Sequence, residues 1–351
     1  VLPLIAYSGV SWMAADLPAV RQGAARLQAL IDQRNLIGEQ EWADYFHGCA
    51  AYQANDLNRA QQAFQAVVGK QRQVHGFTFG QAALGLASVH LALGVSQEAE
   101  ALGDTLLALA LERGDAGILA QVQTLRALIA LRLGRMGEVQ RWAAAYDREM
   151  PLAPMPMFLP EPLLLAQILV QQATPQNGNE AARWLQGLLS YAIATRNTLR
   201  EIEVRALQAL LHDANGQEEA ALAALREAIR LAEPGGVVRV FVDLGPRMAL
   251  LVGKLAAAEP AASFAGHLAP AWPPAPVSSQ PDLRAVLTRR EREVLTLLAQ
   301  RLTAREIAER LVISDKTVSR HTATIYQKLG VNKRQELAAL VKESELAAAR
   351  P

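Results

Sequence analysis

Residues 315–329, DKTVSRHTATIYQKL, carry hydrogen-bonding side chains at a spacing suited to reading a polymer rather than turning over a small molecule. At about 100° per residue, Lys316, Ser319, Arg320, Ala323, Thr324 and Gln327 share one face of a helix. That face has two cations, no acid and only small groups between them, so its backbone can lie deep in a major groove. Arg320 has the fork that pairs with guanine, Gln327 the amide that pairs with adenine, and Thr324 a methyl group for thymine. Around this ridge Thr303, Thr317, Tyr326, Lys328, Lys333 and Arg334 are candidate phosphate contacts, which set register without reading sequence. Val318, His321, Thr322, Ile325 and Leu329 fall on the other side and are expected to pack inward, His321 as a satisfied inner-face histidine.

No second constellation competes with this one. The histidines (His47, His75, His90, His212, His267 and His321) have no metal-ligand spacing. There is no nucleophile elbow and no glycine-rich phosphate cradle; VGKL at 252–255 is an apolar helical stretch with a lysine. The reading is therefore not an enzyme, with no catalytic residue, no metal and no cofactor in this chain. Cys49 is the one cysteine, so no disulfide forms within the chain; it is expected to be a small buried residue in a reducing compartment. The opening VLPLIAYSGVSWMAAD has no charge before Asp16, lacks a basic leader and is too short and polar to span a bilayer. It is expected to form a buried helix. Cytoplasmic location without membrane association follows as the expectation.

The ridge needs helices to hold it. Thr288-Arg-Arg-Glu291 and Thr303-Ala-Arg-Glu306 both fit capping boxes, Ser314 precedes the third helix, Gly330 stops it, and Asn332 starts a fourth. Only VIS separates the second helix from Ser-capped residues of the third, the spacing of a helix-turn-helix. Four short capped helices then make a compact bundle.

Taken together, LTRREREVLTLLA, EIAERLVIS and KTVSRHTATIYQKLGVNKRQEL resemble the LuxR-type helix-turn-helix domain over residues 287–337. The resemblance implies a transcriptional regulator that binds double-stranded DNA, usually as a dimer through the last helix. It places recognition residues at Thr317, Ser319, Arg320 and Ala323. The chain departs from the family pattern in three places. Ser319 stands where a lysine is usual, Arg301 where a glycine is usual, and Thr303-Ala304 where Ser-Asn is usual. The order of parts also looks like the large ATP-binding LuxR regulators related to the maltose-regulon activator. Those carry an upstream nucleotide-binding domain, so the chain, which begins without Met, is expected to be the repeat and output part of such a protein or a truncated relative.

Ala and Leu dominate upstream and only 5% of residues are aromatic, which favours an all-α fold. Residues 41–232 repeat an apolar helix, a Gly/Asn/Asp turn and a second apolar helix. A small residue marks each second helix: Ala60, Ala99, Val139, Ala181 and Ala220, at intervals of 39, 40, 42 and 39. That period predicts stacked, tetratricopeptide-like helical hairpins, with an irregular helical bundle as the alternative. A concave face of such an array is a place for an inducer or a protein partner. Trp42, Tyr45, Phe64, Trp142, Trp184 and Tyr191 are candidates to line it, although aromatics at helical spacing more often form core.

Residues 259–282 hold six prolines and almost no charge, which predicts extended chain. The expected organisation is a repeat domain over 1–258, a proline-rich linker over 259–282 and a LuxR-type domain over 283–351. Residues 283–351 have 14 Lys and Arg against 8 Asp and Glu, and the rest of the chain has 21 against 26. A basic tail on an acidic body suits a polyanion partner for the tail. The alternative function is a protein-interaction scaffold with a non-specific or vestigial DNA-binding tail.

Overall fold

The structure is a computed structural model and describes residues 1–36, 39–70, 76–114, 116–149, 157–173, 178–258, 263–272, 289–299, 302–311 and 313–329. Two compact units divide the chain, Val1–Trp272 and Pro273–Pro351. All regular structure among the described residues is helical.

Twelve helices of the first unit form six hairpins. They are α1 (Leu2–Met13) with α2 (Leu17–Arg34), α3 (Gln40–Gln53) with α4 (Leu57–Val68), and α5 (Gly76–Ala92) with α6 (Ser96–Arg113). There follow α7 (Ala116–Arg132) with α8 (Met136–Ala145), α9 (Glu161–Gln171) with α10 (Gly178–Ala194), and α11 (Thr198–Ala214) with α12 (Glu218–Ala232). The turn chemistry repeats with the helices. Two residues before α2, α4, α6, α8 and α12 the backbone is left-handed, at Ala15, Asn55, Gly94, Gly134 and Gly216, with φ of 60° to 77°. Asp16 and Asp56 then cap α2 and α4, accepting from the backbone N–H of Ala19 at 3.0 Å and Arg59 at 3.3 Å.

The fourth residue of each second helix is buried. Ala60, Ala99, Val139 and Ala181 all sit there and are at most 2% exposed. Two corrections to the sequence reading follow from the same register. The last marker is Ala221, fully buried, rather than the half-buried Ala220, and Val20 supplies a first marker in a hairpin that begins before residue 41. A third concerns α1, whose residues Ser8, Ser11 and Trp12 are buried while Leu2 is 77% and Val10 61% exposed. Among the described residues nothing covers Leu2 or Val10.

Side chains meet across the hairpins with little room. Phe64 of α4 lies between Gly48 of α3 and Gly85 of α5; a Cβ at either glycine would fall 2.6 or 2.5 Å from its ring. Phe158, just before α9, stacks edge-on against Tyr52 and Phe64 at 5.2 and 5.6 Å, and its N–H donates to Gln81 Oε1 at 2.8 Å. After α12 the Pro-Gly-Gly stretch passes so near the first turn that a Cβ on Gly235 would lie 1.7 Å from the carbonyl oxygen of Ala15. The short α13 (Arg239–Val242) follows. There Val238 N–H donates to Gln53 O at 2.8 Å and Tyr52 Oη donates to Asp243 Oδ2 at 2.8 Å. The last segment of the array is thus bonded back to its second hairpin.

Next comes α14 (Pro246–Ala258). The expectation of extended chain from 259 is corrected in part: α15 (Ser263–Leu268) and a 3-10 turn at Ala269–Ala271 follow, with Ala265 and Leu268 fully buried in the core of the first unit. Residues 261–269 contain no proline, and Pro270 opens the 3-10 turn, where its missing N–H costs nothing. The other prolines, at 260 and from 273 on, lie outside the described residues.

In the second unit α16 (Arg289–Ala299), α17 (Ala304–Leu311) and α18 (Asp315–Leu329) surround one small core of Val294, Leu295, Leu297, Leu298, Ile307, Ala308, Val318 and Ile325. Thr288, Gly330 and the predicted fourth helix from Asn332 lie outside the described residues.

Candidate nucleic-acid interface

The two caps that hold α17 and α18 form as their sequences require. Thr303 N–H donates to Glu306 Oε2 at 2.7 Å, and Glu306 N–H donates to Thr303 Oγ1 at 3.3 Å, the reciprocal capping box. Ser314 Oγ accepts from Thr317 N–H at 3.1 Å and lies 2.8 Å from Thr317 Oγ1. One clamp escaped the sequence reading. Arg290 of α16 donates to Glu293 at 2.7 Å and to the Leu311 carbonyl at 2.7 Å, closing the C-terminal end of α17 with a cation. Arginine beside glutamate on a helix has the look of an ordinary surface pair, so nothing in the spacing marked it.

Two fully buried residues fix the rotation of α18: Val318 and Ile325, seven positions apart on the inner side. His321 and Thr322 beside them are half-buried. Lys316, Ser319, Arg320 and Ala323 consequently face outward and are exposed, and Thr324 at the margin is half-buried. The hydroxyls of Ser319 and Thr324 donate to carbonyls one turn back, Asp315 O and Arg320 O, both at 3.0 Å. Thr324 therefore offers its methyl group and an oxygen acceptor. Asp315 opens the helix, where a carboxylate suits the positive end of the helix dipole.

The candidate phosphate contacts fare differently. Thr317 is half-buried, its hydroxyl beside Ser314. Thr303 is exposed, but its hydroxyl donates to Glu306 Oε2 at 2.8 Å, so its proton is engaged in the cap. Tyr326, Gln327 and Lys328 lie in the last turn of α18, and their side chains are outside the described residues. Lys333 and Arg334 lie outside the described residues altogether.

In the repeat unit, Tyr45 and Phe64 are fully buried, and Trp42, Trp142 and Trp184 pack against the core. Trp184 donates to Pro162 O at 3.0 Å, and Tyr191 is half-buried. Tyr45 and Phe64 are thus core residues. Cys49 is fully buried, which pushes its thiol pKa up. Among the described residues no group of three or more His, Cys, Asp or Glu side chains is placed to hold a metal ion, and no helix is long and apolar enough to cross a membrane.

Comparison with known proteins gives two family matches. Residues 26–258 match the MalT-like TPR region, and residues 285–341 match the bacterial regulatory proteins of the luxR family. The spore germination protein GerE of Bacillus subtilis is 48% identical over 64 residues, covering 18% of this chain and 86% of GerE. The Fimbriae Z protein of Salmonella typhimurium is 45% identical over 60 residues, 17% of this chain and 29% of that protein. The Bordetella pertussis protein BvgA is 41% identical over 69 residues, 20% of this chain and 33% of its own length. The matched stretch thus spans a third or less of these last two.

Proposed function

The chain belongs to the family of MalT-like TPR regions and, through residues 285–341, to the luxR family of DNA-binding transcriptional regulators, and from that premise we propose that α18 reads the major groove of its operator. The observation that carries this reading is the exposed ridge of Lys316, Ser319, Arg320 and Ala323 opposite the buried pair Val318 and Ile325. Small side chains at 319 and 323 leave room for close approach, and two cations flank them. Arg320 reads guanine, Thr324 contacts a thymine methyl, and Gln327 pairs with adenine. Lys316 completes the ridge, and Thr317, Tyr326, Lys328, Lys333 and Arg334 hold phosphates.

The chain works as a repeat domain, a proline-rich stretch and a dimerising DNA-binding module. In this reading the repeats bind an inducer or a partner and bias the module's access to DNA. Selection of duplexes from a random pool by the full chain is expected to yield one recurrent half-site. Arg320→Ala is then expected to weaken the selected site by about 1–3 kcal/mol and to relax preference at one position. Equal affinity of wild type and Arg320→Ala for selected and random duplexes, at fixed salt, would instead favour a scaffold with a non-specific tail.

A further inference from the structure

The first helices of hairpins two to six, α3, α5, α7, α9 and α11, together with α13, enclose a partly open cavity of about 50 Å³. Its polar wall is built by Tyr52, Gln53, Ser88, Arg132, Glu203 and Asp243, with one further amide from Gln167. Most of the donors there are already engaged. Tyr52 Oη donates to Asp243 at 2.8 Å, Ser88 Oγ donates to Leu84 O at 2.8 Å, and Arg132 donates to the Asp243 carbonyl. Acceptor capacity is left over. Gln53 is 5% exposed, and its Oε1 is buried with no hydrogen-bond partner. Glu203 is 11% exposed and pairs through Oε2 with Arg200. Asp243, by contrast, is matched by Arg132, Arg239 and Tyr52. An orphaned buried acceptor beside a carboxylate, with Tyr52, Ser88 and Arg132 already donating elsewhere, suits a donor-rich, positively charged group.

We propose that this cavity binds the ammonium or guanidinium head of a small organic cation, Gln53 and Glu203 accepting its N–H groups. The proposal rests on the reading that the repeats take an inducer, and it names the inducer's chemical class. The space holds roughly three to five solvent-sized atoms, at about 10–15 Å³ each. That admits such a head. Phe158, Leu159 and Leu244 then offer an apolar path for the rest of the molecule. Burial, partly opposed by Arg200 and reinforced by Asp243, pushes Glu203 up to about 7. A cation favours its ionised form, so binding strengthens as pH rises through that value. The other titratable groups facing the cavity are Tyr52, Arg132 and Asp243, with Arg200 and Arg239 behind them; burial pushes the Tyr52 phenol up, so it stays neutral.

The test is calorimetric titration of the full chain with agmatine and with n-butylamine, against n-butanol, butyrate and sodium chloride. Saturable binding of at least one amine at pH 8 is expected, about tenfold weaker at pH 6, with none for the controls. Glu203→Gln is expected to weaken it about ten- to a hundredfold, and Gln53→Leu to weaken it as well, while Glu201→Gln leaves it unchanged. Absence of saturable amine binding at pH 8, equal binding of butanol, or affinity indifferent to pH overturns the proposal. If Glu203→Gln fails to fold, the pH comparison and Gln53→Leu decide the matter. DNA affinity measured in parallel separates the two readings. Operator binding without amine binding removes this site alone, and amine binding that leaves operator affinity unchanged keeps the site and removes its role as a switch.

Discussion

Glu203→Gln should reshape the dependence of stability on pH even with no ligand added. In the folded chain burial lifts this carboxyl to about 7 from an ordinary value of 4.5. Below 4.5 both folded and unfolded chains hold the proton, and above about 7 neither does. Between those limits the folded chain keeps a proton that the unfolded chain has released. Stability must therefore fall as pH rises across that window, at about 1.4 kcal/mol per pH unit at the steepest. The full span gives roughly 3 kcal/mol as an upper bound, and relaxation of the Arg200 pair and residual water reduce it to about 1–3 kcal/mol. Glutamine keeps the shape and cannot ionise, so its stability curve should lack this slope. Urea denaturation of both proteins at pH 5 and pH 8, followed by circular dichroism, measures the difference. Relative to Glu203→Gln, wild type should lose about 1–3 kcal/mol on going from pH 5 to pH 8. Parallel curves, or a gap that opens the other way, would refute the argument that burial outweighs Arg200 at this carboxyl.

Gly85→Ala should cost about 1–3 kcal/mol by thermal unfolding, because the added Cβ meets the confined Phe64 ring. Ala323→Leu should abolish operator binding in a mobility-shift assay while leaving the helical signal intact, since a bulky group on the ridge holds the backbone off the groove. Thr303→Ala should destabilise the second unit by about 0.5–2 kcal/mol through its cap. If Thr303 serves the cap alone, the salt slope of DNA binding stays unchanged; a drop in slope of about 1 would restore its phosphate role.

What the sequence disclosed depended on whether local chemistry carried the signal. Hairpins whose turns use Asn55, Gly94, Gly134 and Gly216 were legible because those residues tolerate a left-handed backbone. The first hairpin was missed because Ala15 holds that conformation at its turn, and alanine there is no signal at all. In the run EEAALAAL either of two adjacent alanines, Ala220 or Ala221, satisfies the pattern, and only burial distinguishes them. The proline density of 259–282 points to extended chain, yet Pro260 and Pro270 bracket a proline-free stretch, 261–269, long enough to coil. The ridge of α18 was legible from periodicity and from the hydrophobic pair Val318 and Ile325. The cavity was not, since Gln53, Glu203 and Asp243 come from helices separated by up to 190 residues and share no spacing.

Stacked hairpin proteins commonly tolerate gain or loss of a unit, because each unit touches only its neighbours. The bond from Val238 to the Gln53 carbonyl, and the contact of Gly235 with the carbonyl of Ala15, remove that freedom here. Both demand that the path from the second hairpin to residue 238 keep its length and its curvature. The number of units between those two points is therefore locked, and inserting or excising one would unseat the chain at both ends together.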